Sequence, residues 1–150
     1  MTKLQAIRDF CSFVCNDKIT IARDKFYDNN WAMDIAHTNP RIKTPKEFVT
    51  KPDASDKIFR NNFVERCPIA NGFAHITLTL LHECGHWATR SVFDAIEYDK
   101  AVQSAYCQTM YMEIPWERLA TEWAICWLQC PENRKVAKAF ERNYFGHGKE

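Results

Sequence analysis

From Phe73 to Thr89 the chain reads FAHITLTLLHECGHWAT, with no proline and no glycine before Gly85. A stretch this apolar and this free of breakers is expected to form a helix of about four turns. Phe73, Ile76, Leu80, Cys84 and Trp87 trace an apolar stripe along it, while His75, Thr79, His82 and His86 trace a polar one. The chain therefore has to build itself around a helix whose polar line faces inward or into a cleft.

The spacing gives that polar line a use. On an α-helix, residues i and i+4 lie about 40° apart around the axis and about 6 Å along it, so His82 and His86 can aim ring nitrogens at one ion. Glu83 projects about 100° from His82, beside such an ion and not on it. A zinc ion lowers the pKa of a bound water towards ~7, and a neighbouring carboxylate can take its proton and pass it to a leaving amine. This His-Glu-x-x-His arrangement is the pattern of metallopeptidases, and Glu83 is the expected general base. His75 stands about 10 Å back along the axis, too far to share the ion, and reads as a structural or cleft-lining residue.

The remainder of the chain fits a single α+β domain spanning 1–150. Its 150 residues are enough to bury roughly 70% of the surface of the unfolded chain without staples. Leu4 to Cys15 has apolar residues at helical spacing, ended by Asp17 and Lys18. Strands are expected at Lys18 to Arg23 and Trp31 to Ala36, with "DNN" at 28–30 as the turn between them. A further short strand is expected in "RIKTP", followed by an irregular polar segment through Pro68. Pro115 suits the first turn of a helix running to about Gln129, and Pro131 begins another to Tyr144. Helix, strands, then helices make an α+β order.

Twenty basic against 19 acidic residues leave a net charge of +1, which gives no electrostatic case for nucleic acid or an anionic membrane. Arg8 and Asp9 interrupt the amino-terminal segment, so neither a signal peptide nor a membrane span is expected, and the protein is placed in the cytosol. The seven cysteines then read as reduced thiols, mostly small core residues. Cys11 with Cys15, and Cys126 with Cys130, are spaced i, i+4, but no second element is seen to complete a metal cluster with either pair.

A catalytic zinc site usually has three protein ligands, and two histidines plus a glutamate from a later helix is one such set. In "IPWERLATEWAICWLQCP" both Glu117 and Glu122 flank an apolar arc, about 140° apart, and periodicity does not choose between them. A hydrogen-bond donor for the transition state is expected nearby, with Tyr106, Tyr111, Arg118, Tyr144 and His147 unranked. "WAMDIA" or "RIKTP" would suit an edge strand that pairs with an extended peptide. Trp31 and "FYDNNW" would suit the wall of a peptide groove or an edge of the core, and are read as the core edge.

"TLLHECGHWAT", followed by "ERLATEWAICWL", resembles the zincin-type metallopeptidase domain of the ArdC antirestriction proteins of plasmids and phages. "NPRIKTPKEF" resembles that family's segment before the active helix, and the likeness spans roughly residues 38–130. The more distant ImmA/IrrE peptidases point the same way. The resemblance implies a small zincin-like fold, one Zn2+ per chain, His82 and His86 as ligands, Glu83 as base and Glu122 as third ligand. Glu117 becomes the runner-up, orienting a ligand histidine.

Ala88 and Thr89 depart from the family's Thr-Gly, and "SVFDAIEYDK" replaces its basic stretch, which implies different substrate recognition. Fewer than 40 residues precede the resemblance, so the family's single-strand DNA-binding module, and a nucleic-acid role, are not carried over. The expected function is a zinc metallopeptidase of phage or mobile-element type acting on a protein or peptide substrate, a host protein among them. The alternative is a non-catalytic, zincin-like zinc protein that binds a host partner in antirestriction or anti-defence.

Overall fold

In the computed structural model, residues 1–23, 31–35, 39–45, 54–92 and 114–146 are described. They form five α-helices and a three-stranded sheet: α1 (Lys3–Cys15), β1 (Thr20–Arg23), β2 (Ala32–Asp34), β3 (Arg41–Thr44), α2 (Ala54–Arg66), α3 (His75–Ala88), α4 (Pro115–Leu128) and α5 (Pro131–Gly146). Short 3-10 turns at Pro68–Gly72 and Arg90–Val92 flank α3. The α+β class expected from the sequence is the observed one.

Local sequence explains the ends of α1. The Thr2 hydroxyl accepts the Gln5 amide at 3.1 Å, an N-terminal cap. At the other end Asn16 takes the left-handed conformation, with φ 51° and ψ 42°. Its amide and that of Asp17 then close back on the Phe13 and Ser12 carbonyls.

The sheet order is β1-β3-β2, with β1 parallel to β3 and β2 antiparallel to it. The second strand, expected over Trp31 to Ala36, covers Ala32–Asp34, and Ala36 lies outside the described residues. Residues 28–30, expected as a turn, lie outside the described residues. Ile42 on the central strand is fully buried and Met33 of β2 pairs opposite it, so the sheet turns one face to the core.

One expectation is corrected. The segment read as irregular through Pro68 contains α2, whose polar ASDKIFRNNFVER sequence hides its pattern. Phe59 and Phe63 are spaced i, i+4, and only Phe63 is fully buried, with Phe59 half-buried and Ile58 exposed. A helix held by so narrow a stripe leaves little periodicity to read.

The core lies between α1, α3, α4 and α5. Ile7, Leu78, Leu80, Leu81 and Leu128 are fully buried there, each contributing about 1.5–3 kcal/mol. Phe10 of α1 stacks on Phe140 of α5 at 4.5 Å between ring centroids. Trp31 packs partly buried against this core, in keeping with a place at its edge.

Helix α3 begins two residues later than expected, because Phe73 is extended, with φ −114° and ψ 149°. Ala74 at its N-cap has no side chain to bind the exposed amides. Glu141 of α5 replaces it, accepting from the Ala74 amide and the Thr77 hydroxyl at 2.6 Å each. The helix that carries the two histidines is thus anchored at its start by α5 and along its side by α4.

Among the described residues no helix is long and apolar enough to cross a membrane. The six cysteines described there carry free thiols; Cys11, Cys67 and Cys84 are buried, whereas Cys126 and Cys130 are exposed. The expectation of core positions therefore fails for that exposed pair.

Candidate metal centre

Small residues on two helices create the site. On α4, Ala120, Thr121 and Ala124 are fully buried and form the face that meets α3. Opposite them stands Gly85, where a β-carbon would run into the Ala120 carbonyl oxygen and lie 3.0 Å from the Ala120 carbonyl carbon and Cα. Such a backbone approach is open only to glycine. It brings His82, one turn before Gly85, and His86, directly after it, against Glu117, one turn before Ala120.

The geometry is tight. His86 Nε2 is 2.9 Å from Glu117 Oε1, and His82 Nε2 is 3.4 Å from Glu117 Oε2. One ligand atom from each of the three residues lies within 4.8 Å of the others. His82 and Glu117 are buried, and His86 keeps 13% of its side chain exposed, so the site meets solvent on the His86 side. The two imidazole rings stand nearly perpendicular at 84°.

His82 is oriented from behind. Its Nδ1 lies 2.9 Å from the buried Thr121 hydroxyl, and the Phe59 ring meets it edge-on at 5.2 Å. When Nδ1 donates to Thr121, Nε2 carries a lone pair into the site, which is the tautomer a metal ligand needs.

Expectation and structure diverge at the third carboxylate. Glu122 is not brought to the histidines: its Oε1 accepts from Arg66 at 3.0 Å and from Arg118 at 3.1 Å, on a side chain 41% exposed. Glu117 takes the place instead. Ala120, Thr121 and Ala124 follow Glu117 at i+3, i+4 and i+7, so Glu117 lies on the small-residue face of α4, which the sequence alone did not show to be the one that meets α3. Thr121 itself was missed, because a hydroxyl four residues after a glutamate acquires meaning only when a histidine faces it.

Glu83 is buried beside the histidines, and its Oε2 accepts the Met33 amide of β2 at 2.8 Å. Among the described residues that strand is at the sheet edge, and the carboxylate ties the histidine helix to it. His75 stays outside the group, with its ring 3.3 Å from the Thr79 hydroxyl and edge-on to Phe59. Of the transition-state donors, Tyr144 is buried against Phe140 in the core and Arg118 is engaged with Glu122. Tyr106, Tyr111 and His147 lie outside the described residues.

Burial and the close pairing of the side chains together set the protonation of the group. It pushes Glu117 up, but the close approach of His82 and the hydrogen bond from His86 outweigh it and hold the carboxyl well below the usual range. For His86 burial acts downward, and the Glu117 hydrogen bond and the charges of Glu83 and Glu117 reverse it, leaving the imidazole raised. Glu83 is raised, chiefly by burial, against the opposing pull of both histidines.

The donor set fits a metal. His82 Nε2 and Glu117 Oε2 are both buried, and neither has a hydrogen-bond partner. Two buried polar atoms directed at one another without a proton to share are costly unless a cation lies between them. Two imidazole nitrogens and a carboxylate oxygen are a zinc donor set with a fourth position left for water or substrate. Comparison with protein-family models, curated proteins and solved structures gives no match for this chain.

Proposed function

We propose that this chain is a zinc-dependent metallopeptidase of gluzincin-like type, with His82, His86 and Glu117 holding one Zn2+ and Glu83 as general base. The observation that carries this reading is the convergence of the two histidine nitrogens and the Glu117 carboxylate, with the His82 Nε2 and Glu117 Oε2 atoms buried and unsatisfied. When bound, zinc supplies a Lewis acid that polarises a substrate carbonyl and acidifies water.

The chain's own residues supply the rest. Thr121 fixes the His82 tautomer, and Glu117 orients both imidazoles from one carboxylate. Glu83 takes a proton from water and returns it to the leaving nitrogen, a role that a carboxyl raised by burial suits. Its Oε2 is steadied by Met33. The β2 edge, which this contact places beside the site, would hold an extended peptide substrate. A protein or peptide substrate, a host protein included, follows from that reading.

The test is metal analysis of untagged protein followed by the Glu83→Gln variant. One zinc per chain and peptide cleavage lost in Glu83→Gln with zinc retained support the proposal. Cleavage that survives Glu83→Gln rejects the mechanism.

The Met33 contact also favours a second reading. A Glu83 carboxylate committed to the strand amide acts as a tie between α3 and β2, as it would in a non-catalytic zinc protein that works by binding a partner. In that case Glu83→Gln preserves biological function, while loss of His82 or His86 unfolds the domain because zinc binding contributes folding free energy.

A further inference from the structure

Helix α2 reaches the histidines through one side chain. The Phe59 ring stands nearly perpendicular to the His82 imidazole, at 79° and 5.2 Å between centroids, and to that of His75, at 87° and 6.2 Å. It therefore sits between two histidines that lie about two turns apart on α3. Its helix is braced on either side of it. Arg60 donates to the Phe73 and Asn71 carbonyls at 2.7 and 3.2 Å, just before α3, and Arg66 donates to Glu122 of α4 at 3.0 Å.

We infer that Phe59 is a positioning residue, holding the His82 ring in the one orientation that puts Nδ1 on Thr121 and Nε2 into the site. An imidazole turns about its last side-chain bond in a broad, nearly two-fold well, so its surroundings decide where it stops. A half-turn exchanges Nδ1 with Cδ2 and Nε2 with Cε1, and leaves carbon where the ligand nitrogen stood. The Thr121 hydroxyl opposes that turn with one contact to Nδ1, at 2.9 Å. The perpendicular His86 ring, at 4.7 Å, and the Phe59 ring, at 5.2 Å, occupy space through which the imidazole would have to swing. Of these three neighbours Phe59 alone comes from outside the two helices of the site. The consequence for zinc rests on the function proposed above; the orientation of His82 does not.

Nitrogen NMR of the His82 ring in the metal-free full chain reads the orientation, and competition with a zinc chelator reads its consequence. The parent should show one tautomer, with the proton on Nδ1. Phe59→Leu keeps an apolar side chain and removes the ring; it should give a mixture of tautomers and lower zinc affinity by about tenfold. Phe63→Leu removes a fully buried ring from the same helix. It should lower the melting temperature and move neither readout, which separates positioning from support of the fold. In a Thr121→Val background Phe59→Leu should add little, because both residues act on one ring. If Phe59→Leu fails to fold, as circular dichroism would show, Phe59→Met carries the same test. A parent that binds no zinc, with the tautomer still shifting in Phe59→Leu, rejects the zinc reading and upholds this one. A tautomer unchanged in Phe59→Leu, an equal shift in Phe63→Leu, or additive effects of Phe59→Leu and Thr121→Val would overturn it.

Discussion

Gly85 of α3 meets Ala120 of α4 backbone to backbone, at a separation that leaves no room for a β-carbon on Gly85. That approach sets the distance between the histidines and Glu117. Gly85→Ala must push the helices apart or strain them, at a cost of about 1–3 kcal/mol or more. We expect a lower melting temperature together with weaker zinc binding. Gly72→Ala, where a β-carbon meets nothing within 4 Å, is the control. An unchanged melting temperature for Gly85→Ala would show that the helices do not pack this closely.

The two glutamates of α4 should behave differently. Glu117→Gln is expected to reduce zinc affinity by more than the roughly 10–100-fold typical of residues that only orient a ligand. Glu122→Gln, which breaks an exposed pair with Arg66 and Arg118, should leave zinc affinity unchanged and alter stability by no more than about 1 kcal/mol. Competition with a zinc chelator reads both, and the reverse order would restore Glu122 as the ligand.

Thr121→Val keeps the shape of the side chain and removes the oxygen facing His82 Nδ1. Zinc affinity should fall by about 10–100-fold, with Thr121→Ser close to the parent. Nitrogen NMR of the His82 ring in the metal-free protein should show the tautomer shifting in the valine variant. Equal affinity and an unchanged tautomer in all three proteins would remove Thr121 from the site.

The pH dependence has a definite sign. In the metal-free protein the raised His86 stabilises the fold fully below its unfolded pKa of about 6.5, and that contribution is lost as pH rises through the higher folded value. The depressed Glu117 contributes above its unfolded value of about 4.5 and loses this as pH falls towards its lower folded value. If His86 holds zinc as proposed, the metal requires a neutral imidazole and competes with that proton. Thermal melts with chelator and with zinc, from pH 6 to 8, should show the rise in melting temperature on adding zinc growing with pH. A zinc effect that is flat over this range would count against His86 as a ligand.

Much of this could be read along the chain, because helices are written in local spacing. His82, Glu83 and His86 declare their relation through i, i+1 and i+4 on a helix whose existence the run from Phe73 to Thr89 requires. Pro115 and Pro131 marked the starts of α4 and α5, and the bounds of α1 followed from its apolar period. Helix α2 was hidden because Phe59 and Phe63 are almost its whole apolar face, set among charges and asparagines.

Local spacing along the chain was enough for the α+β class, for the helix that bears the histidines and for the pair of glutamates from which a third ligand could come. Only the tertiary structure brought Glu117 to the histidines, gave Thr121 its place behind His82 and joined Glu83 to Met33. Each of these depends on which faces of two helices, or of a helix and a strand, meet. Periodicity records that a face is apolar or polar; it does not record its partner. Here the partner of α3 was settled by a steric fact that spans the two helices, a missing β-carbon at Gly85 lying on the backbone of Ala120.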